Sequence, residues 1–282
     1  MTVAIVTDST TDFSPESIAR NGWDVVPMFV CFGSERFRDG VELKRPDFYN
    51  RMRTAKELPV TEPPTAEMFE QAFAKQTAAG HEVVAPVMSS KLSQTYAAAL
   101  EASKKFGGRV HVFDTKTLSC GVGLIAQSAS LAAKAGADAA TILAQLERQR
   151  ETQRGFATIP DLSHIGRTGR LNKAQVALGT LMKVIPILRF DKSGTIEGEA
   201  QTRTFEKAQE LLVDIAARHT PRPAATRICI AHTNDAALGR RILEAFRLKL
   251  PAAPKELTLY EAGPAVAANA GAGSVAIFSL QD

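Results

Sequence analysis

A chain of 282 residues is long enough for a sizeable core and for two domains. Its 45% hydrophobic and 23% charged residues are those of an ordinary globular protein, not of a disordered or fibrous one. A formal charge of only +4, with 6% aromatic residues, argues against nucleic acid as the main partner, and no apolar stretch approaches bilayer-spanning length.

The chain opens directly on MTVAIVTDST, with neither a basic leader nor a cleavage site, which predicts a soluble cytoplasmic protein. Cys31, Cys120 and Cys229 are far apart and odd in number, so they read as reduced, buried thiols rather than a zinc or disulfide framework. Val3 to Thr7 is β-branched and predicts a buried parallel strand. The polar cluster DSTTD and a Ser14-Pro15 helix start follow it. Trp23 to Phe32 reads as one further strand, Asp39-Gly40 as a turn and Pro46 to about Thr54 as a short helix. Thr65 is placed to cap a helix in which Phe69 and Phe73 share one face.

Strands at Glu82 to Met88 and Arg109 to Phe113 each lead through a polar turn into a helix. Strand, polar turn and helix thus recur three times, the pattern of a parallel sheet with crossover helices. A long helix from about Asp138 to Gln153 closes this half. Beyond it, Ile185 to Arg189 and Thr195 to Ala200 flank the turn Asp191-Lys192-Ser193-Gly194, a predicted antiparallel hairpin. A helix from Thr204 to about Arg218, a strand from Arg227 to Ala231, a helix from Ala236 to Leu248 and a strand from Glu256 to Tyr260 follow. The tail GPAVAANAGAGSVAIF is apolar and rich in glycine and alanine. The fold predicted is α/β, with an N-terminal domain over 1–155 and a C-terminal domain with a mixed sheet over 156–282.

Hydrolase, zinc-protease and phosphate-loop signatures are absent from the sequence. Two stretches, Gly121 to Ala126 and Gly271 to Ala276, match a dinucleotide fingerprint on paper. Neither follows the first strand of a βαβ unit, so close packing explains their glycines better. Asp8 and Asp12 could hold a cation, yet capping of backbone amides needs fewer donors and is the preferred reading. His232, at a strand end, is the sole candidate base, and an ordinary polar role suits it better. The recurrent feature is hydroxyl-rich turns beside apolar helices: Thr61, the Ser89-Ser90 and Ser93-Thr95 cluster, and Thr117 with Ser119. Such turns offer hydroxyls and amides to an anionic head group.

TDSTTD, Thr61 with Pro64-Thr65, SSKLSQTYAAA at 89–99, DTKTLSCGVG at 114–123, IGRTGRL at 165–171, PILRFD at 186–191 and GPAVAANAGAG at 263–273 occur in the order seen in DegV proteins. The chain resembles that family over essentially its whole length. The resemblance implies two α/β domains with a ligand tunnel between them, holding one long-chain fatty acid such as palmitate, stearate or oleate. It implies a carrier subunit that presents the fatty acid carboxylate to a separate fatty acid kinase, with no cofactor of its own. ATP and Mg²⁺ would belong to that partner. By this resemblance Thr61 and Ser93 hold the carboxylate, and Ser90, Thr95, Asn269 and Gly271 complete the ligand-binding set. Arg170, with Arg167 beside it, belongs to a loop linked to the kinase. Four positions depart from the family pattern: Gln94 for glycine, Asn269 for histidine, Ala272 for proline and Ile185 for lysine. Asn269 can donate a hydrogen bond but cannot carry charge or relay a proton. The alternative readings are an acyl hydrolase or transferase using Ser93, which needs a base in reach, and a lipid-sensing regulatory module.

Overall fold

The computed structural model describes residues 2–171 and 184–282. The first apolar run forms strand β1 (Val3–Asp8), flanked by β2 (Asp24–Val26) and β6 (Glu82–Val87), with β7 (Val110–Asp114) outside β6. All three pairings are parallel, as the recurring strand-turn-helix pattern predicts. Helix Pro15–Asn21 starts as its sequence dictates: the Ser14 side chain accepts from the Ser17 amide, and Pro15 fills the first turn. Thr65 occupies the cap position of helix Ala66–Ala78 but makes no side-chain capping bond, contrary to expectation.

The predicted single strand from Trp23 to Phe32 is two strands. Pro27 lies between β2 and β3 (Phe29–Phe32), and lacking an N–H it cannot carry a ladder through. β3 instead joins β4 (Glu35–Arg38) and β5 (Val60–Glu62) in a small antiparallel sheet, so the N-terminal half is not built on a parallel sheet alone.

The second large sheet is mixed, in the order β10-β9-β8-β13-β11-β12. Its strands are β8 (Arg154–Thr158), β9 (Ile185–Phe190), β10 (Ile196–Thr202), β11 (Thr226–His232), β12 (Glu256–Glu261) and β13 (Val275–Gln281). β9 and β10 form the predicted hairpin. The glycine-rich tail is not featureless: it gives helix Pro264–Ala270 and then β13, which sits inside the sheet between β8 and β11.

Helix Cys120–Lys134 lies between the two large sheets, with Leu124, Ile125, Ala126 and Ala129 buried against Ile5, Val84 and Phe113 on one side and Cys229, Ala231 and Phe278 on the other. A helix covered on opposite faces needs small residues all round, which accounts for its alanines, serines and glycines. Helices Ala66–Ala78 and Thr95–Ser103 cover the outer face of the parallel sheet through Phe69, Phe73, Ala99 and Ala102. Helices Phe205–Arg218 and Ala236–Lys249 cover the outer face of the mixed sheet through Leu212, Val213, Ile242 and Phe246. Among the described residues no helix is long and apolar enough to cross a membrane.

Candidate functional site

The inner face of the mixed sheet is the floor of a cavity. Register across β11, β13, β8 and β9 puts Ala231, Ala276, Ala157 and Leu188 in one row, and all four line the space. Three adjacent alanines leave a trough that larger side chains would fill. The roof comes from the N-terminal half, through Thr10, Met28, Met88 and Leu118. The space not filled by atoms is about 810 Å³, part of it open to solvent. The centre of a water-sized sphere can move through only about 90 Å³ of it, so the cavity is a slot rather than a chamber.

Polar groups gather at one end. Asn269 donates through Nδ2 to Thr61 Oγ1 at 3.3 Å and to the Ala265 carbonyl at 2.9 Å. Its Oδ1 accepts from Arg170 Nη1 at 2.5 Å, and Arg170 Nε donates to the Leu92 carbonyl at 3.0 Å. All three side chains line the cavity. Arg170 is half-buried, and burial first, then the charge of Arg167, holds its guanidinium below its ordinary value. An arginine nevertheless stays protonated. Among the described residues no carboxylate pairs with it, and the segment 172–183 contains no acidic residue. A partly desolvated cation at the edge of an apolar slot, whose partners among the described residues are neutral oxygens, has the charge and the donors to receive an anion.

The other expected site residues are distributed unevenly around this cluster. Ser93 Oγ lies 2.8 Å from Thr95 Oγ1 and accepts from the Thr95 amide at 3.2 Å. Thr95 Oγ1 lies 3.3 Å from Met28 Sδ, and Met28 lines the slot, so this hydroxyl pair stands one contact behind the wall. Ser90 faces elsewhere, its hydroxyl donating to Asp114 at 2.6 Å. Gly271 is not in the lining. Its carbonyl accepts from Thr233 Oγ1 at 2.6 Å, and a Cβ on it would strike His164 at 2.8 Å. Arg167 is exposed and donates to the Pro59 carbonyl. Thr61 sits in the middle of β5, paired with Val30, not in the strand-to-helix turn expected of it. Among the described residues Ser93 has no histidine or carboxylate as a hydrogen-bond partner. His232 is buried, accepts from the Asp235 amide at 3.4 Å and has its pKa lowered, chiefly by burial.

Reading the sequence alone missed the groups that hold the helix carrying Asn269. Asp12 accepts from the Gly263 amide at 2.7 Å and from Ser119 Oγ at 2.5 Å. Asp39, buried beside them, accepts from Ser9 Oγ at 2.7 Å and lies near the Ala265 amide. Two N-terminal carboxylates therefore sit at the start of helix Pro264–Ala270, Asp12 bonded to the amide of its cap residue Gly263. Asp8 caps its own turn, accepting from the Thr10 amide at 2.9 Å and the Met88 amide at 2.7 Å. Capping, the preferred reading for Asp8 and Asp12, is what these carboxylates do. No group of three or more metal-ligating side chains occurs among the described residues.

Residues 2–282 match the model of a family described as "Uncharacterised protein, DegV family". The chain belongs to the DegV family. A DegV domain-containing protein of Halalkalibacterium halodurans is 31% identical over 278 residues, covering 98% of this chain and 97% of the relative. Protein DegV of Bacillus subtilis is 30% identical over 255 residues, covering 89% and 90%. Among solved structures, a DegV family protein from Thermus thermophilus, described for its fatty acid binding, superimposes with a TM-score of 0.89 at 27% identity over 100% of both chains. The Bacillus subtilis DegV structure, described as a fatty acid binding protein, has the same TM-score of 0.89, identity of 27% and full coverage. The DegV likeness therefore spans the slot and both sheets that enclose it.

Proposed function

We propose that this DegV protein is a cytoplasmic carrier that binds one long-chain fatty acid and presents its carboxylate to a separate kinase for acyl phosphate formation. The acyl chain crosses the alanine row in the direction of β13, and the carboxylate meets Thr61, Asn269 and Arg170, with Ser93 behind them. The observation that carries the reading is Arg170: a half-buried guanidinium with neutral partners at the polar end of an apolar slot. The fatty acid binding described for two relatives at 27% identity supports it. Each buried methylene contributes about 0.8 kcal/mol, so the slot supplies affinity while the polar end sets orientation. Arg167 and Arg170 would present a basic edge to the kinase, which brings its own ATP and Mg²⁺.

Native mass spectrometry of the purified protein, followed by solvent extraction, tests the binding. One fatty acid per chain is expected. A Thr61→Ala, Ser93→Ala double variant should bind about tenfold to a hundredfold more weakly, since a hydrogen bond to a charged group is worth about 1.5–3 kcal/mol. Arg170→Gln should weaken binding at least as much as the double variant. An apo mass that takes up no added fatty acid would overturn the reading. Coupling is tested separately, with a fatty acid kinase subunit and Mg-ATP added to the loaded protein. Acyl phosphate should form, and Arg167→Ala should slow its formation without releasing the lipid. A loaded protein that yields none would leave a binder and remove the carrier role.

A further inference from the structure

We infer that Phe190, backed by Phe278, is the stop that fixes the longest acyl chain the slot accepts; this rests on the fatty acid reading of the cavity. The direction of the chain follows from topology. Helix Pro264–Ala270, which carries Asn269, runs into β13, so the polar end lies at the Val275 end of that strand. Moving along β13 towards Phe278, the floor changes from the alanine row to an aromatic one. Phe278 pairs with Gly155, and Phe190 and Phe278 lie with ring centroids 5.3 Å apart. A Cβ on Gly155 would strike Phe190 at 2.7 Å and Phe278 at 2.9 Å, so only glycine lets both rings close over that strand. Rows on one face are about 6.7 Å apart along a strand, so the wall stands one row beyond the trough.

Behind the wall is a second space. The space not filled by atoms there is about 300 Å³, part of it open to solvent, and is lined by Thr117, Arg150, Gln153 and Gly155, and by Phe190, which also lines the slot. The second space is polar. Thr117 Oγ1, Arg150 Nε and Gln153 Nε2 are buried there without a hydrogen-bond partner among the described residues, and Thr117 is only 2% exposed. Groups of this kind bind ordered water. A methyl end pushed through would meet these polar atoms and satisfy none of them. Phe190 thus separates an apolar space from a polar one, and the boundary is both steric and energetic.

The test is competition for the delipidated full-length protein among equimolar saturated C14, C16, C18, C20 and C22 fatty acids, read by native mass spectrometry. Phe190→Ala should move the preferred length upward, by about tenfold in relative occupancy for each two methylenes newly buried. Ala157→Val, which narrows the trough one row earlier, should move it downward. A Phe190→Ala protein that loads with the wild-type length profile overturns the stop. Should that variant fail to fold, Phe190→Leu decides: a shift to longer chains supports the stop, and an unchanged profile overturns it. A wild-type protein that takes up none of the series sinks the fatty acid reading and this inference with it, whereas a loaded wild type beside an unchanged variant sinks the stop alone.

Discussion

Gly123→Ala is expected to lower the stability of this protein by about 2–3 kcal/mol, although alanine is the better helix former. A Cβ at this position would lie 2.3 Å from one carbon of the Phe13 ring and 2.9 Å from the Thr11 carbonyl oxygen. Neither neighbour can yield cheaply. Phe13 is stacked on Tyr260 with centroids 4.6 Å apart and tilted against Trp23 at 5.4 Å, and Thr11 is main chain in the turn that presents Asp12. The gain of about 1 kcal/mol in helix propensity offsets only part of that overpacking. Gly121, two residues earlier, is a second close approach. A Cβ there meets both γ atoms of buried, β-branched Thr117, at 2.4 and 2.8 Å, and Gln153 Nε2 at 2.8 Å, so Gly121→Ala should also destabilise the protein. Urea unfolding of the three proteins measures the difference as a shift of midpoint at constant slope. A Gly123→Ala protein with the wild-type midpoint would refute the packing account of this glycine pair.

Those glycines also mark how far the sequence could be read. GVGLIA looks like a nucleotide fingerprint, and its setting away from the end of a first strand argued correctly for packing instead. The parallel sheet was legible because three strands are short apolar runs followed by polar turns and helices. The small sheet was not. β4 and β5 are three or four residues long and largely exposed, so no alternation identifies them, and Thr61 was consequently assigned to a turn. β13 was hidden because its segment follows a run of glycine and alanine with no strand-like composition, and its central place in the sheet comes from pairing with β8 and β11. Thr61, Arg170 and Asn269 stand in three separate motifs of the sequence, and the slot brings their side chains together. The resemblance also points to Ser90 and Gly271, yet their neighbours in space are Asp114 and His164. Asp39 reads in the sequence only as part of a turn, and nothing there marks Arg45, because Asp39 lies beside helix Pro264–Ala270 and Arg45 Nε donates to the Glu261 carbonyl, both more than 200 residues away.

That long-range contact makes stability fall as pH rises through the neutral range. Burial, against hydrogen bonds from Ser119 and Gly263 and the charge of Arg45, raises the Asp12 carboxyl to about 7 from its ordinary 3.8. Burial likewise raises Asp39 to about 6, against the bond from Ser9 and the charge of Arg45. Both groups bind a proton more tightly in the folded chain than in the unfolded one. Between about pH 4 and pH 7 the folded state therefore holds protons that the unfolded state has released, and stability declines as pH rises. For Asp12 alone the decline is on the order of 4 kcal/mol, complete once pH passes about 7, and Asp39 adds in the same direction. Asp12→Asn removes the titration but keeps the geometry, since the amide oxygen can accept from Gly263 and the amide nitrogen can donate to Ser119. Urea midpoints from pH 5 to 8 should fall steeply for the wild type and much less for Asp12→Asn; parallel curves would rule Asp12 out as the source. The consequence reaches the site, because the helix these carboxylates hold is the one that carries Asn269 against Thr61 and Arg170. Ionising a buried carboxylate at its start loads a desolvation cost onto the contact between the two halves that enclose the slot, so lipid release should quicken as pH rises from 6 to 8, and Asp12→Asn should blunt that change.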